Sequence, residues 1–366
     1  PVIKEAPHIN YKVGVRRKTR QVNIGGVKVG GGAPISVQTM TKTKTDDIAG
    51  TVAQIKAATE AGCDIVRVTV NDKEAAESMA EIVRQSPIPI VADIHFNHIF
   101  ALKAIQGGVA KVRINPGNIG SKDRIREVLT AAKDKGIPIR IGVNSGSLEE
   151  DILEKHGYPT AEALYESAMR HVGICDEFDF RDVIISVKST DVRLMIEAYR
   201  LVAARTDIPL HLGVTEAGLT RVGTIKSAVG IGTLLAEGIG DTIRVSLTDD
   251  PLKEVEVGKE ILRSLGLASR NIELIACPTC GRLEVDLFGI MAQLEERLQG
   301  IKKPVKIAVL GCVVNGPGEA SEADIGIAAG KGVAILYRKG EMIKRVKESE
   351  IVDTIVEEVA NFKPEA

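Results

Sequence analysis

Three of the five cysteines stand close together, and their spacing is that of a metal or redox site. Cys277 and Cys280 form a Cys-x-x-Cys pair, and Cys312 follows within the glycine-rich stretch Gly311-Cys-Val-Val-Asn-Gly-Pro-Gly-Glu319. The pair can place two thiolates on one ion or cluster, and Cys312 adds a third thiolate. Glu319 offers a carboxylate in what the sequence predicts to be a turn of glycine and proline.

This donor set leaves three interpretations open. A zinc ion would use three thiolates and one other ligand, and a [4Fe–4S] cluster can also be held by three thiolates. The glycine-lined surroundings favour the cluster, because glycine lets the backbone approach the sulfides closely. Glu319 favours it too, since a carboxylate binds a soft cluster less tightly than a thiolate and leaves one iron exchangeable, able to act as a Lewis acid. A thioredoxin-type dithiol would leave Cys312 without a role.

The composition is that of a globular protein with an ordinary core. Of 366 residues, 44% are hydrophobic and 27% charged, and the net charge of −1 gives no field that would favour nucleic acid or a membrane surface. No apolar run is long enough to span a membrane and no signal peptide is evident, so we expect a cytoplasmic location with reduced thiols. Cys63 and Cys175 are predicted to be buried hydrophobic side chains.

A regular alternation of short β-branched runs and helical segments must position any site in the first part of the chain. The predicted strands are Ile35–Thr39, Ile65–Val70, Ile88–Ile94, Ala110–Asn115, Ile137–Asn144, Val183–Lys188, Leu210–Thr215 and Thr242–Leu247. The helical segments between them include Ile48–Glu60, Lys73–Gln85, Lys122–Lys135, Ala161–Cys175, Val192–Arg205, Thr224–Glu237 and Lys253–Leu265. Eight such units predict an α/β fold of the (β/α)8 TIM-barrel type. A doubly wound sheet is the alternative, but it rarely keeps so even a repeat.

The sequence predicts a barrel domain, a linker and a smaller domain. The barrel domain covers residues 1–265. Its basic, glycine-rich residues 1–30 predict a hairpin that plugs the bottom of the barrel, with solvated arginines, or else an arm that contacts an anion. Residues 266–272 break the repeat and are predicted to be a linker. Residues 273–366 then form a small α/β domain.

In the small domain, two predicted strands lead directly to cysteines. Ile272–Ala276 precedes Cys277, and Val305–Leu310 comes just before Cys312. The other elements expected there are a helix, a strand pair around Gly330-Lys-Gly and a closing helix. Their predicted bounds are Leu283–Gln299, Asp324–Ala328, Val333–Tyr337 and Ile351–Ala360.

Charged residues recur at the carboxyl ends of the predicted barrel strands, where the active sites of such barrels lie. A charge in a β-branched strand is expected to face the barrel interior, because leaving it unpaired in the helix layer costs on the order of several kcal/mol. Five cations thereby surround one cavity: Arg67, Arg113, Arg140, Lys188 and Arg244. Arginine suits phosphate oxygens, and five cations favour a diphosphate over a monophosphate. Some of them could instead neutralise interior acids.

Further polar residues at these strand ends are candidates for contact with the substrate. Asp93 and Glu216 are candidates for proton delivery or hydroxyl binding, although either could simply orient an arginine. His95 and His211 are expected to form hydrogen bonds, because no ligand spacing supports a metal in the barrel. The other candidates are Gln38, Asn115, Asn144, Ser145, Thr215 and Ser246.

The motifs around these residues resemble one known family over essentially the whole chain. They are Ala276-Cys-Pro-Thr-Cys-Gly-Arg282, the stretch Gly311–Glu319, Val112-Arg-Ile-Asn-Pro-Gly-Asn118, Gly142-Val-Asn-Ser-Gly-Ser147 and Gly213-Val-Thr-Glu-Ala-Gly218. The sequence resembles bacterial 4-hydroxy-3-methylbut-2-enyl diphosphate synthase in its short, two-domain form.

The resemblance implies an oxidoreductase of the non-mevalonate pathway to isoprenes and terpenoids. Its substrate would be 2-C-methyl-D-erythritol 2,4-cyclodiphosphate, which the family opens reductively and dehydroxylates to (E)-4-hydroxy-3-methylbut-2-enyl diphosphate. Two electrons would come from ferredoxin or flavodoxin through a [4Fe–4S] cluster in a sulfite/nitrite reductase-like domain. The implied cluster ligands are Cys277, Cys280, Cys312 and Glu319.

The resemblance also implies roles for the barrel residues and an assembly. By position, the five cations would hold the phosphates, and Glu216 would lie near the reacting carbons as a proton donor or electrostatic stabiliser. The family resembles a head-to-tail homodimer in which the cluster domain of one chain caps the barrel of the other. We therefore expect a composite site formed by two chains.

Three other functions fit parts of the sequence. A sugar-phosphate lyase or epimerase could carry a structural zinc domain. A non-enzymatic iron–sulfur scaffold or sensor would have no use for the ring of cations. A barrel like that of the pterin-binding methyltransferases would leave the small domain without a role.

Overall fold

The computed structural model describes residues 15–268, 272–301, 303–312, 314 and 316–363. The chain divides into two compact units, residues 1–268 and 269–366. In the part of the chain that is described, no helix combines the length and the apolar character needed to cross a bilayer.

A two-stranded hairpin opens the described part of the first unit. Its strands β1 (Gln21–Ile24) and β2 (Val27–Gly30) are antiparallel and are joined by Gly25 and Gly26, both at positive φ, where glycine carries no steric penalty. The apolar side chains of the hairpin pack against three strand residues, Ile65, Val91 and Ile184. These three face the inside of the barrel, so the hairpin fills its amino-terminal end.

The arginines that precede the hairpin hold it to the barrel, which corrects the expectation that they are solvated. Arg16 forms an ion pair of 2.7 Å with Asp241, whose side chain is buried. Arg17 donates to the carbonyl oxygens of Ala203, Thr206 and Ile208 around the end of a helix. Neither arginine is solvated, and neither lines the cation-rich cavity. Carbonyls left unpaired at a helix end explain the arrangement, because a guanidinium can satisfy several of them at once. Residues 1–14 lie outside the described part.

Eight parallel strands form the barrel that the alternating pattern predicts. They are β3 (Ser36–Met40), β4 (Ile65–Thr69), β5 (Ile90–Asp93), β6 (Lys111–Arg113), β7 (Ile139–Asn144), β8 (Val183–Lys188), β9 (His211–Leu212) and β10 (Thr242–Ile243). The order around the sheet is β8-β7-β6-β5-β4-β3-β10-β9, and a parallel bridge between Ile185 and Leu210 brings its two edges together. This ring confirms the TIM-barrel prediction and excludes the doubly wound sheet.

Helices surround the barrel and begin at polar caps that fix the loops after the strands. They are α1 (Ile48–Glu60), α2 (Lys73–Gln85), α3 (His98–Gln106), α4 (Lys122–Asp134), α5 (Glu150–His156), α6 (Ala161–Glu177), α7 (Val192–Arg205), α8 (Thr220–Ala236) and α9 (Pro251–Ser264). Side chains of Asp47, Asp72, Asn97, Thr160 and Asp191 accept N–H groups at the first turns of their helices. All seven predicted helices are present, and α3 and α5 are additional.

The second unit is a five-stranded mixed sheet with three helices. Its strands are β11 (Ile272–Ala276), β12 (Val305–Leu310), β13 (Ile325–Gly330), β14 (Val333–Arg338) and β15 (Glu341–Lys347), in that order across the sheet. Its helices are α10 (Leu287–Leu298), α11 (Gly316–Ser321) and α12 (Ile351–Asn361). Strands β11 to β13 run parallel, and β14 and β15 are antiparallel to their neighbours.

Three features of this unit differ from the prediction. Helix α10 begins at Leu287 rather than Leu283, because the Asp286 carboxylate caps the Gly289 N–H. Glu319 lies in the short helix α11 and not in a turn; Pro317 is compatible with a first helical turn because the N–H it lacks would have no partner there. Strand β15 was not predicted, since an exposed edge strand needs no apolar alternation.

Candidate active site

The cation-rich cavity lies inside the barrel at the carboxyl ends of its strands. Strand pairing puts Asp93, Arg113 and Arg140 side by side on β5, β6 and β7. The cavity gathers ten of the residues that the sequence singled out, together with Val214. They are Arg67, Asp93, His95, Arg113, Arg140, Asn144, Lys188, Thr215, Arg244 and Ser246.

Asp93 is the carboxylate that faces this cavity, and it is shared by two arginines. Arg113 Nη1 lies 3.3 Å from Asp93 Oδ1, and Arg67 Nε lies 3.6 Å from Oδ2. Burial alone would raise the pKa of Asp93, but the charges of Arg67, Arg113 and Arg140 outweigh it and hold the pKa at about 2. Asp93 is therefore ionised at any physiological pH. The structure supports its role in orienting arginines more directly than a role in proton delivery.

Arg244 has a different acid partner, Glu254, which the sequence analysis missed. Glu254 is fully buried on α9, with a carboxylate oxygen 3.3 Å from Arg244 Nη2. It also accepts hydrogen bonds from Thr39 Oγ1 at 2.8 Å and from the Leu247 N–H at 3.0 Å. A signal was present: Glu254 lies on the same helical stripe as the buried residues Pro251, Val255, Gly258, Ile261 and Leu262. A carboxylate on a buried stripe indicates an internal cation.

Arg140 and Lys188 have no acidic partner within ion-pair distance among the described residues. Arg140 is 1% exposed; its Nη1 donates to Ser186 Oγ, while its Nε and Nη2 find no hydrogen-bond acceptor there. Lys188 is 6% exposed. Burial, followed by the charges of Arg140 and Arg67, lowers its pKa well below the usual value. The cavity thus holds more positive than negative charge and is preorganised for an anion.

Two backbone positions without side chains make room for these cations. A Cβ on Gly142 would lie 2.7 Å from Arg113 Nε, and one on Gly213 would lie 2.7 Å from Lys188 Nζ. Either substitution would displace a cation from the cavity. Both glycines belong to the motifs quoted above, which links those motifs to the cation geometry.

Five other predicted residues lie outside the cavity lining. Gln38 is fully buried and accepts a hydrogen bond of 3.2 Å from Lys111, an equally buried lysine. His211 is also fully buried, and burial lowers its pKa well below the usual value. Ser145 donates to Ser189, and the Asn115 amide bonds to the backbone of Gly142. Glu216 is exposed.

Glu216 has a backbone conformation that marks the loop after β9. Its φ is 50°, in the left-handed region that residues other than glycine seldom adopt. Its neighbour Thr215 lines the cavity. A strained residue beside a cavity of this kind is a frequent property of functional loops, so Glu216 remains a candidate for chemistry at the mouth.

In the second unit, one cavity is bordered by all four predicted metal ligands. Cys277 and Cys280 follow β11, Cys312 follows β12, and Glu319 lies on α11. Thr279, between the paired cysteines, has a φ of 61°, so a tight left-handed turn brings both side chains to the same cavity. The Gly311 N–H donates to Cys277 Sγ at 3.5 Å. A Cβ on Gly311 would lie 2.3 Å from Leu283 Cδ1, so a side chain there would displace that leucine.

The residues around this cavity match the donors that an iron–sulfur cluster takes. Within the described ranges, no group of three His, Cys, Asp or Glu side chains converges on a single-ion site. A tetrahedral zinc ion needs its ligands at about 2.0–2.3 Å from one point, whereas a cluster is a larger body whose ligands lie around a cavity. The N–H···S contact is of the kind that stabilises cluster sulfurs. Cys277, Cys280, Cys312 and Glu319 therefore fit an iron–sulfur cluster.

The two remaining cysteines are structural. Cys63 and Cys175 are buried in the barrel core at 4% and 0% exposure. Burial raises the pKa of Cys63 to about 11 and that of Cys175 to about 12, so both stay protonated thiols. This confirms their assignment as buried hydrophobic side chains.

A TIM barrel with an anion-binding mouth, followed by a small domain with three cysteines around one cavity, defines a class of two-domain metalloenzyme. Comparison with protein families identifies it: residues 19–259 match the GcpE TIM-barrel domain, and residues 273–361 match the GcpE protein C-terminal domain. The chain belongs to the GcpE family.

Two bacterial relatives that share one name are similar to this chain over nearly its whole length. A relative from Clostridium perfringens (strain 13 / Type A), named 4-hydroxy-3-methylbut-2-en-1-yl diphosphate synthase (flavodoxin), is 58% identical over 93% of this chain and 98% of its own length. A Clostridium acetobutylicum protein with the same name is 56% identical over 95% of this chain and 99% of its own. Among solved structures, a dihydropteroate synthase from Xanthomonas albilineans has a TM-score of 0.45 and 15% identity, covering 66% of this chain and 98% of that one.

We predict that Lys188 takes up protons when inorganic pyrophosphate binds the full chain. The anion would raise the depressed pKa of Lys188, whereas Asp93, with a pKa of about 2, stays ionised throughout. Calorimetry at about pH 8 in buffers of different ionisation enthalpy measures the uptake, because imidazoles contribute little there. Lys188→Gln should reduce it and weaken binding about ten- to hundredfold, as expected for one charge-assisted hydrogen bond. The same buffer dependence of the binding heat in wild type and Lys188→Gln, to which the protons of pyrophosphate itself contribute equally, would contradict the assignment.

Proposed function

We propose that this chain is a 4-hydroxy-3-methylbut-2-en-1-yl diphosphate synthase that takes electrons from flavodoxin, or alternatively from ferredoxin. The proposed substrate is 2-C-methyl-D-erythritol 2,4-cyclodiphosphate, and the product is the linear allylic diphosphate. The observation that carries the proposal is the barrel cavity, where five cations face one carboxylate. A compact cyclic diphosphate would supply the negatively charged partner that Arg140 and Lys188 lack among the described residues.

The barrel residues bind and orient the substrate in this proposal. Arg113, Arg140 and Lys188 lie on three adjacent strands, β6, β7 and β8, and can hold separate phosphate oxygens, while Arg244, just after β10, approaches from the other side of the barrel. Asp93 and Glu254 keep Arg67, Arg113 and Arg244 in place between turnovers. Fixed cations around the diphosphate also stabilise the negative charge that develops when a ring oxygen leaves carbon.

Glu216 and the cluster ligands supply the remaining chemistry. A [4Fe–4S] cluster held by Cys277, Cys280, Cys312 and Glu319 supplies electrons and a Lewis-acidic iron when it is bound. Glu216, exposed beside the cavity, donates a proton or stabilises charge at the reacting carbons. Glu319 is an exposed carboxylate among thiolates, and so it is the ligand most easily exchanged for a substrate oxygen.

We further propose a homodimer in which the cluster domain of one chain serves the barrel of its partner. The cation-rich cavity and the cysteine cavity belong to separate compact units, and electron transfer requires them to meet. An exposed apolar stripe on and just before α8 supports self-association. It consists of Leu219, Val222, Ile225 and Val229, which are 52–70% exposed. Apolar side chains grouped in this way on a surface indicate a protein contact.

The cofactor and the activity are tested together on anaerobically purified protein. We expect a broad absorption band near roughly 400 nm, iron and sulfide in equal amounts, and turnover of the cyclic diphosphate with reduced flavodoxin. A colourless protein with stoichiometric zinc would support the lyase or epimerase alternative. A cluster without binding of the cyclic diphosphate would support the sensor alternative.

The exchangeable ligand is tested by Glu319→Cys. A fourth thiolate should keep or strengthen the cluster, seen as an unchanged or slower loss of the band near roughly 400 nm in air, yet lower kcat by at least about a hundredfold. Glu319→Gln is the control for loss of charge without a new thiolate. Full activity of Glu319→Cys would remove the argument for an exchangeable carboxylate.

Shared sites are tested by mixing two inactive variants. Arg113→Ala disables a barrel and Cys312→Ser disables a cluster domain, so each homodimer should be inactive. In a mixed dimer, one intact barrel faces one intact cluster domain. Each mixed dimer should therefore have about half the activity of a wild-type dimer. If mixing and exchange of subunits restore no activity, the composite site is wrong.

A further inference from the structure

A buried histidine lies beside the cation-rich cavity without lining it. His171 is on α6 and is 2% exposed. It borders a second, separate cavity together with Asn115, Glu149 and Ser167. A buried polar side chain of this kind needs partners, and its partners connect it to the strands that carry the arginines.

The histidine ring joins two loops to α6. Its Nδ1 accepts a hydrogen bond of 3.1 Å from the Gly117 N–H, so the ring proton is on Nε2. His171 Nε2 lies 3.1 Å from Glu149 Oε1, and Ser167 Oγ donates to Glu149 Oε2 at 2.7 Å. Glu149 belongs to the loop after β7, and Gly117 to the loop after β6. The His171 ring and the Ser167 hydroxyl together therefore hold the loops after two adjacent strands against one helix.

The contact between Gly117 and the ring leaves no room for a side chain. A Cβ on Gly117 would lie 2.8 Å from His171 Cε1 and 3.0 Å from Nδ1. The loop Pro116–Asn118 is a single 3₁₀ turn. Its position is therefore set by the ring on one side and by β6 on the other.

Asn115 carries this constraint from the loop to the arginines. It lies two residues before Gly117, and its amide bridges the strands: Nδ2 donates to the Gly142 carbonyl at 3.2 Å, and Oδ1 accepts from the Gly142 N–H at 2.8 Å. The same carbonyl accepts a hydrogen bond of 2.9 Å from Arg113 Nη2. Gly142 is two residues beyond Arg140 on β7. A shift of the loop would thus move the ends of β6 and β7 relative to each other.

We propose that His171 is a positioning residue for the reaction, acting through Gly117 and Asn115 to hold Arg113 and Arg140 at the spacing that a diphosphate requires. The inference rests on the proposed function for the identity of the anion. His171 does not line the cation-rich cavity; it fixes the relative position of two strand ends. Loss of that constraint weakens contacts that the diphosphate already makes when the substrate binds, so it raises KM more than it lowers kcat.

The test uses a matched pair of histidines on the same helical layer. His171→Leu removes the acceptor for Gly117. His156→Leu removes the histidine of another His–Glu pair, His156 Nε2 to Glu166 Oε2 at 2.9 Å, which joins α5 to α6 without reaching a strand end. We expect His171→Leu to raise KM for the cyclic diphosphate about five- to tenfold, with kcat within about twofold of wild type, and His156→Leu to leave both unchanged. The same ratio should appear in the Kd for inorganic pyrophosphate, measured by calorimetry on the full chain.

Two further variants keep the test decisive if His171→Leu folds poorly. His171→Asn keeps an acceptor near Nδ1 and should recover most of the lost affinity. Gly117→Ala should raise KM as His171→Leu does, and adding His171→Asn to it should partly relieve the crowding. Equal KM for wild type and His171→Leu, or equal shifts for both histidine variants, would overturn the positioning role. A wild-type chain that binds no pyrophosphate would instead count against the proposed function.

Discussion

Positive charge held out of water at the mouth of the barrel is the constraint on which the rest of the structure depends. Arg140 and Lys188 are nearly inaccessible and lack acidic partners in the described part of the chain. Isolated charges in such a place are strongly unfavourable, so the surrounding fold must hold them there. The apolar layer between strands and helices supplies that stability, while Asp93 and Glu254 neutralise part of the charge. What remains is a site whose cations are already oriented when an anion arrives, which avoids the cost of gathering them at that moment.

The sequence predicted the barrel because its strands are buried on both faces and therefore appear as β-branched runs at regular intervals. It also predicted which residues face inward, because side chains alternate along a strand. The alternation of side chains does not show how deep inside the barrel an inward-facing residue lies. Gln38 and His211 have the inward orientation but lie below the cavity, in a buried polar layer that includes Lys111. Pairing between distant elements was equally out of reach: Glu254 on α9 meets Arg244, and the Asn115 amide binds Gly142, because of register and packing that no local pattern encodes.

In the second unit, sequence alone predicted the candidate site more completely than in the barrel. Its cysteines could be selected directly, because cysteines are rare and their spacing is set by a short turn rather than by long-range packing. Thr279 in a left-handed conformation and Gly311 against Leu283 are local devices that bring the side chains to one cavity. What the sequence did not reveal was that Glu319 lies on a helix, where its backbone is held while its exposed side chain can still move. The residues that line the cation-rich cavity and those that border the cysteine cavity thus depend on different scales of structure.

The hairpin at the amino-terminal end of the barrel has a kinetic consequence. Val22, Ile24 and Val29 close that end against Ile65, Val91 and Ile184, so in the part of the barrel that the structure describes the cavity opens toward the strands' carboxyl ends. Substrate and product must then share one entrance. A product that is itself a diphosphate would compete with the next substrate for the same cations. Release of that product, rather than bond breaking, would then limit kcat.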